Sequence, residues 1–311
     1  MQVKGAEVGR QTQRTKWRRR LVIARRQGST AKGRPHHRGK DAALLELAGR
    51  ITERDRSICR ILFEHRVLTT AQVADLGFPT LRKAQERLSV LFALEVLDRF
   101  RPRTWSGSGP FHYILGPAGA AVIAAERGIE LAELRWRRDV GASLSTSSQL
   151  AHLVGCNGFF SSLIREARGH SETELAQWWP SRRCAAAWGE AVRPDAYAVW
   201  VDGERRVPFH LEYDMGTERL ARLEAKLPGY AELARAAGHP TWVLFCFRTA
   251  GRESAARRVL SHPAVPVATA VLLPGQAANG PHWSAVGEVG PRLGLADLGS
   301  PERAYSVVQK L

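Results

Sequence analysis

The chain has 311 residues, 44% of them hydrophobic and 24% charged, with a formal net charge of +16. Its length accommodates about two domains with a sizeable core, and the apolar fraction excludes a wholly disordered chain. Cysteines 59, 156, 184 and 246 are too widely spread for a disulfide framework or a short-range zinc knuckle. No window has the roughly 18 apolar residues of a membrane span, and residues 1–20 lack the apolar core of a signal peptide, so a cytoplasmic protein with no membrane partner is expected.

Residues 1–40 hold 13 of the 46 basic groups and one acid, a net +12; the other 271 residues carry only +4. The densest run, Lys16 to Arg20, includes Arg18, Arg19 and Arg20 beside Trp17. A Gly/Pro/His stretch follows at 33–39. A segment of this composition buries little apolar surface and reads as a basic, disordered arm suited to neutralising phosphates.

From 41 to 128 the pattern becomes that of a folded domain. Thr52 caps a helix from Glu53, with Ile58, Ile61 and Leu62 as its stripe. Thr69 or Thr70 caps a short second helix, with Val73 and Leu76 inward. Thr80 caps a third, whose apolar face is Leu81, Ala84, Leu88, Leu91 and Phe92. Residues 95–100 and 111–115 read as strands joined by a Gly- and Pro-containing loop. Pro117 opens a closing helix. Three helices and a hairpin look like a winged helix-turn-helix domain, with double-stranded DNA as its partner. Arg82, Lys83 and Arg87 on the third helix are the recognition candidates, and Arg101 and Arg103, with Trp105, are those of the wing.

Residues 129–148 read as a connector, 149–300 as an α/β domain and 301–311 as a tail. A helix is expected over 149–168, with His152 in a packing or hydrogen-bonding role. Trp178 and Trp179 read as core anchors. Residues 193–200 and 207–214 read as paired strands around a turn at Asp202-Gly203-Glu204. Alternation puts Glu212 and Asp214 on one face, with Asp195 near the start of the partner strand. Three carboxylates at one sheet end suit Mg²⁺, an oxygen-seeking ion. A helix over 218–227 should kink or end at Pro228-Gly229. Strands at 242–247 and 267–273 flank a helix at 253–260, giving a mixed sheet and an α/β fold overall.

Pro194-Asp195 and Glu212-Tyr213-Asp214 resemble the PD-(D/E)XK nuclease-like core. That resemblance implies a metal held by the acids and an assisting lysine. Asp214 stands where the lysine is expected, and Lys226 on the next helix is the substitute. Glu190 or Glu172 would be an additional acid. The wider run Phe209 to Glu218, with Leu223, Lys226, Leu227, Tyr230 and the helix-turn-helix region, resembles the replication-relaxation family of actinobacterial plasmids and mobile elements. It implies a DNA-binding accessory protein in plasmid replication and DNA relaxation, with replication or mobilisation proteins as partners. The alternatives are a Mg²⁺-dependent nickase or endonuclease using Asp195, Glu212, Asp214 and Lys226, and a non-catalytic adaptor. A Gly-rich phosphate loop, a dinucleotide fingerprint and a nucleophile elbow are all missing from the sequence. Tyr213 and Tyr230 have only His210 nearby, unlike the tyrosine and histidine cluster of a relaxase.

Overall fold

Three threonine side chains set three successive helices. In the computed structural model, which describes residues 47, 49–102, 109–261 and 263–299, Thr52 accepts from the Asp55 amide and opens α1 (Glu53–His65) in a reciprocal capping box. Thr69 does the same with Gln72 for α2 (Thr70–Gly77), and Thr80 accepts from Lys83 N–H to open α3 (Leu81–Ala93). Ala84, Leu88 and Leu91 of α3 are buried against Ile58, Leu62 and Val73, but Leu81 and Phe92, expected on that face, are exposed. Leu81 sits in the first turn, ahead of the packed stripe, and Phe92 carries the Arg99 guanidinium over its ring. Strands β2 (Leu97–Phe100) and β3 (His112–Leu115) form the expected antiparallel hairpin, and β1 (Leu68–Thr69) pairs with the free edge of β3. The tip of the hairpin, the arm and the tail lie outside the described residues, and with them Arg18, Arg19, Arg20, Trp17, Arg103 and Trp105. Pro117 opens α4 (Pro117–Arg127) as its first residue. The connector holds a 3-10 turn, Leu131–Leu134, and a short helix, α5 (Val140–Ser145).

The second part is a six-stranded mixed sheet in the order β4-β5-β6-β7-β8-β9. It follows α6 (Leu150–Ala167), an unbroken helix despite Gly155 and Gly158. Strands β4 (Thr173–Pro180), β5 (Ala196–Asp202) and β6 (Arg205–Asp214) run antiparallel. Strand β7 (Trp242–Phe247) is parallel to β6, β8 (Val267–Val271) is parallel to β7, and β9 (Ser284–Ala285) closes the edge. Trp178 and Trp179 belong to β4. Its register shifts between Leu175 and Gln177, which breaks the period-two pattern by which a strand is read. The short α7 (Ser181–Trp188) follows β4. After β6 come α8 (Leu220–Glu224) and α9 (Leu227–Ala237). Pro228 lies in the first turn of α9, where its missing N–H costs nothing, so it starts a helix and does not end one. Finally α10 (Ala250–Val259) is capped by Thr249.

Alternation splits the core in two. Val207, Phe209, Leu211, Leu244 and Cys246 face Phe159, Phe160 and Leu163 of α6. Val243, Phe245 and Phe247 face Leu227 and Tyr230 of α9 and Ala256 of α10. The described residues fall in one compact unit, and within it α6 also joins the helical part through polar contacts. Asn157 donates to the carbonyls of His65 and Val67, and Gln72 donates to that of Val154 at 2.7 Å. Asp75 takes Ser161 Oγ and Arg165. Among the described residues no helix is long and apolar enough to cross a membrane.

Gly155 sets how closely α6 approaches β6, since a Cβ there would lie 2.4 Å from Tyr213 Cε1. Gly155→Ala is therefore expected to destabilise the fold by about 1–3 kcal/mol through overpacking, although alanine is the better helix former. A urea denaturation midpoint equal to or above wild type would contradict this.

Candidate functional site

The alternation that buries Phe209 and Leu211 against α6 turns His210, Glu212 and Asp214 to the other face of β6, where all three are buried. Asp195 follows Pro194 just ahead of β5. Its N–H donates to Leu211 O, which sets it across from Glu212. Its Oδ2 accepts from Tyr213 N–H at 2.8 Å and lies 3.0 Å from His152 Nε2 on α6. Lys226, at the junction of α8 and α9, donates from Nζ to Glu212 Oε2 at 2.7 Å and lies 3.6 Å from Glu218. Tyr230 OH donates to the other Glu212 oxygen. Glu212 is only 2% exposed, whereas Asp195, Lys226 and His152 keep 20%, 28% and 35% of their side-chain surface. The cluster thus has one buried acid behind three groups that solvent reaches.

The electrostatics of these groups are interlocked. Burial pushes the Glu212 carboxyl from 4.5 up to about 7, and the Asp195 charge adds to this, against Lys226 and Tyr230. Burial works against the Lys226 ammonium, but Glu212, Asp195 and Glu218 outweigh it and raise its pKa. The hydrogen bond to Asp195 holds the His152 imidazolium above its ordinary range despite partial burial. Perturbed acids and bases gathered at a solvent-reached edge make this the candidate functional site.

One pH dependence follows. Between about pH 4.5 and 7 the folded chain keeps a proton on Glu212 that the unfolded chain has released. Its contribution to stability therefore falls as pH rises through that window. Glu212→Gln lacks this dependence, so its melting temperature is expected to gain on wild type from pH 5 to pH 8 in metal-free buffer. A constant difference would show that Glu212 titrates normally.

The structure brings Asp195, Glu212 and Lys226 together. Asp214, the third expected carboxylate, is engaged elsewhere: its Oδ2 pairs with Arg252 of α10 at 2.8 Å, and its Oδ1 accepts from Gly216 N–H. Arg252 also donates to the Glu218 carbonyl, so Asp214 fastens the loop after β6 to α10. The two supplementary acids lie away from the cluster. Glu190 is at the surface, and the Glu172 carbonyl accepts from Gly203 N–H in the β5–β6 turn, at the end of β5 opposite Asp195. His152, expected in a packing or hydrogen-bonding role, bonds Asp195, and Tyr230, part of the run that carries the family resemblance, bonds Glu212. Arg252, which holds Asp214, is a residue that the sequence patterns did not single out.

Of the basic candidates, Arg82 and Lys83 are well exposed and share Glu86 at 3.1 and 2.9 Å. Arg87 is turned inward, bonding both oxygens of buried Asp55 and the Arg50 carbonyl. The Arg101 guanidinium lies 3.8 Å over the Phe111 ring, and that of Arg99 stacks on both Phe92 and Phe111.

A family model described as replication-relaxation matches residues 60–242, more than half of the chain. The match runs from α1 to the start of β7 and includes His152, Asp195, Glu212, Lys226 and Tyr230. No curated protein matches the chain.

Proposed function

The chain belongs to the replication-relaxation family, and we propose that within this replication- and relaxation-associated role it binds duplex DNA and cuts one of the strands. The convergence of Asp195, Glu212 and Lys226 carries this reading. One cut phosphodiester lets a supercoiled duplex swivel, so nicking is the simplest chemistry that relaxes a plasmid. The order of elements supports it: helix α6, three antiparallel strands, helix α9, then β7 parallel to β6. That is the arrangement expected of a PD-(D/E)XK-like core, here with its amine supplied by Lys226 in place of the residue two after the acid.

The donor set fits Mg²⁺: two carboxylates, all-oxygen, one of them reached by solvent. Asp195 and Glu212 would hold the ion, which would supply Lewis-acid polarisation of a phosphodiester. The rest falls to the chain. The Tyr213 N–H and His152 fix Asp195 through Oδ2, leaving Oδ1 to the other side. Tyr230 and Lys226 fix the Glu212 carboxylate plane. The Lys226 ammonium, kept charged, offsets negative charge gathering on the phosphoryl oxygens in the transition state. The three helices and the hairpin would hold the duplex, with Arg82 and Lys83 on phosphate or base edges.

Purified full-length protein should convert supercoiled plasmid to open circles in Mg²⁺. It should also bind duplex DNA with a steep salt dependence. Replacing Arg82 or Lys83 should reduce the salt slope by about 0.9 for every phosphate that is no longer neutralised. A plasmid left supercoiled in both Mg²⁺ and Mn²⁺ would end the nicking reading. One observation favours a second reading, a DNA-binding accessory protein with an inactive nuclease-like scaffold. Both Glu212 oxygens are engaged within the chain and its carboxyl is pushed towards neutrality. That reading predicts salt-dependent binding with no nicking.

A further inference from the structure

We propose that His152, Cys156 and Asp195 form a second metal site, one for a thiophilic divalent ion such as Zn²⁺. It does not rest on the nicking reading, because its nitrogen and sulfur donors are those Mg²⁺ avoids. His152 and Cys156 are four residues apart on α6 and so share one side of the helix. That side meets Asp195 where Gly155 lets α6 close onto Tyr213. His152 Nε2 lies 3.0 Å from Asp195 Oδ2 and 3.9 Å from Cys156 Sγ, and all three ligand atoms lie within 4.8 Å of one another. Tetrahedral zinc, with bonds near 2.0 Å to nitrogen or oxygen and 2.3 Å to sulfur, needs ligand atoms about 3.3–3.6 Å apart. The two separations from His152 reach that spacing by shifts of a few tenths of an ångström, and the Cys156–Asp195 separation, within 4.8 Å, has to close to the same spacing.

The environment suits such an ion. Thiolate and carboxylate together cancel its double charge, so the loaded site is neutral where Cys156 is buried. His152 and Asp195 keep part of their surface, which gives the ion an entry path. Three protein ligands leave a fourth tetrahedral position for water. Tyr213 supports the site from behind, its N–H on Asp195 Oδ2 and its ring edge-on to the imidazole. Asp195 then belongs to two sites at once, facing nitrogen and sulfur on the α6 side and Glu212 on the other.

Co²⁺ titration of the full, chelator-stripped chain tests this. A single equivalent should give the intense visible bands of tetrahedral cobalt and a thiolate-to-cobalt charge-transfer absorption, both erased by Zn²⁺ and unaffected by excess Mg²⁺. Cys156→Ser should lose the charge-transfer absorption. His152→Ala, at a half-exposed position that tolerates truncation, should weaken Zn²⁺ binding by at least about tenfold. Thermal melts confirm that both variants fold. Glu212→Gln should keep the cobalt spectrum whatever it does to plasmid, so the two sites fail separately. Wild type without the charge-transfer absorption, or Cys156→Ser with an unchanged spectrum, overturns the proposal.

Discussion

Asp195→Ala and Glu212→Gln are each expected to lower Mg²⁺-dependent plasmid nicking by about 10³-fold while leaving duplex binding within about twofold of wild type. Each removes one of the two carboxylates proposed to hold the ion; Asp214 is held by Arg252, and the Lys226 and Tyr230 side chains are donors. Lys226→Ala should cost less, about 10²-fold, since it removes transition-state stabilisation but no metal ligand. Arginine at 226 should recover part of that loss. Asp214→Asn serves as the contrast: it should lower the melting temperature by loosening the loop after β6, with any loss of nicking following the loss of folded protein. Initial rates of open-circle formation, beside melting curves, separate the two effects. Full nicking by Glu212→Gln would remove the catalytic assignment.

Arg87→Ala is expected to destabilise the helical part by about 3–5 kcal/mol. The guanidinium bonds both oxygens of Asp55, which is fully buried and also caps α1 with Thr52. Truncation leaves that carboxylate charged without its cation. For a unit of this size the melting temperature should fall on the order of 10 °C. Arg82→Ala and Lys83→Ala, exposed and sharing Glu86, should shift it by less than about 1–2 °C. Weakened DNA binding by Arg87→Ala would therefore have to be read against its stability. Equal melting temperatures for all three variants would show that the clamp contributes nothing.

Local chemistry in the sequence was informative wherever the cause is local. Thr52, Thr69 and Thr80 cap the helices at the expected residues, because a cap is a contact across three positions. The pairing of Asp195 with Glu212 was legible as well, since a short turn and strict alternation place one opposite the other. What was hidden depends on distant partners. Asp214 shares its face with Glu212, and only Arg252, 38 residues on, takes it out of the cluster. Arg87 reads as a surface arginine until Asp55, 32 residues earlier, is brought beneath it. Strand β4 was obscured by its bulge, and Pro228 fits the end of one helix as well as the beginning of another. His152 and Cys156 carried a helical spacing, but the third donor, Asp195 ahead of β5, comes 43 residues after His152.

Helix α6 grips α2 with Ser161 and Arg165 and the end of α1 with Asn157, while His152, earlier on the same helix, holds Asp195. If, as proposed, the helical part holds DNA and the Asp195 edge cuts it, both are tied to the same rod, about 27 Å long at 1.5 Å per residue, and would behave as a gauge. The cut would fall at a set number of base pairs from the bound sequence, and that offset would be a property of one helix rather than of the DNA.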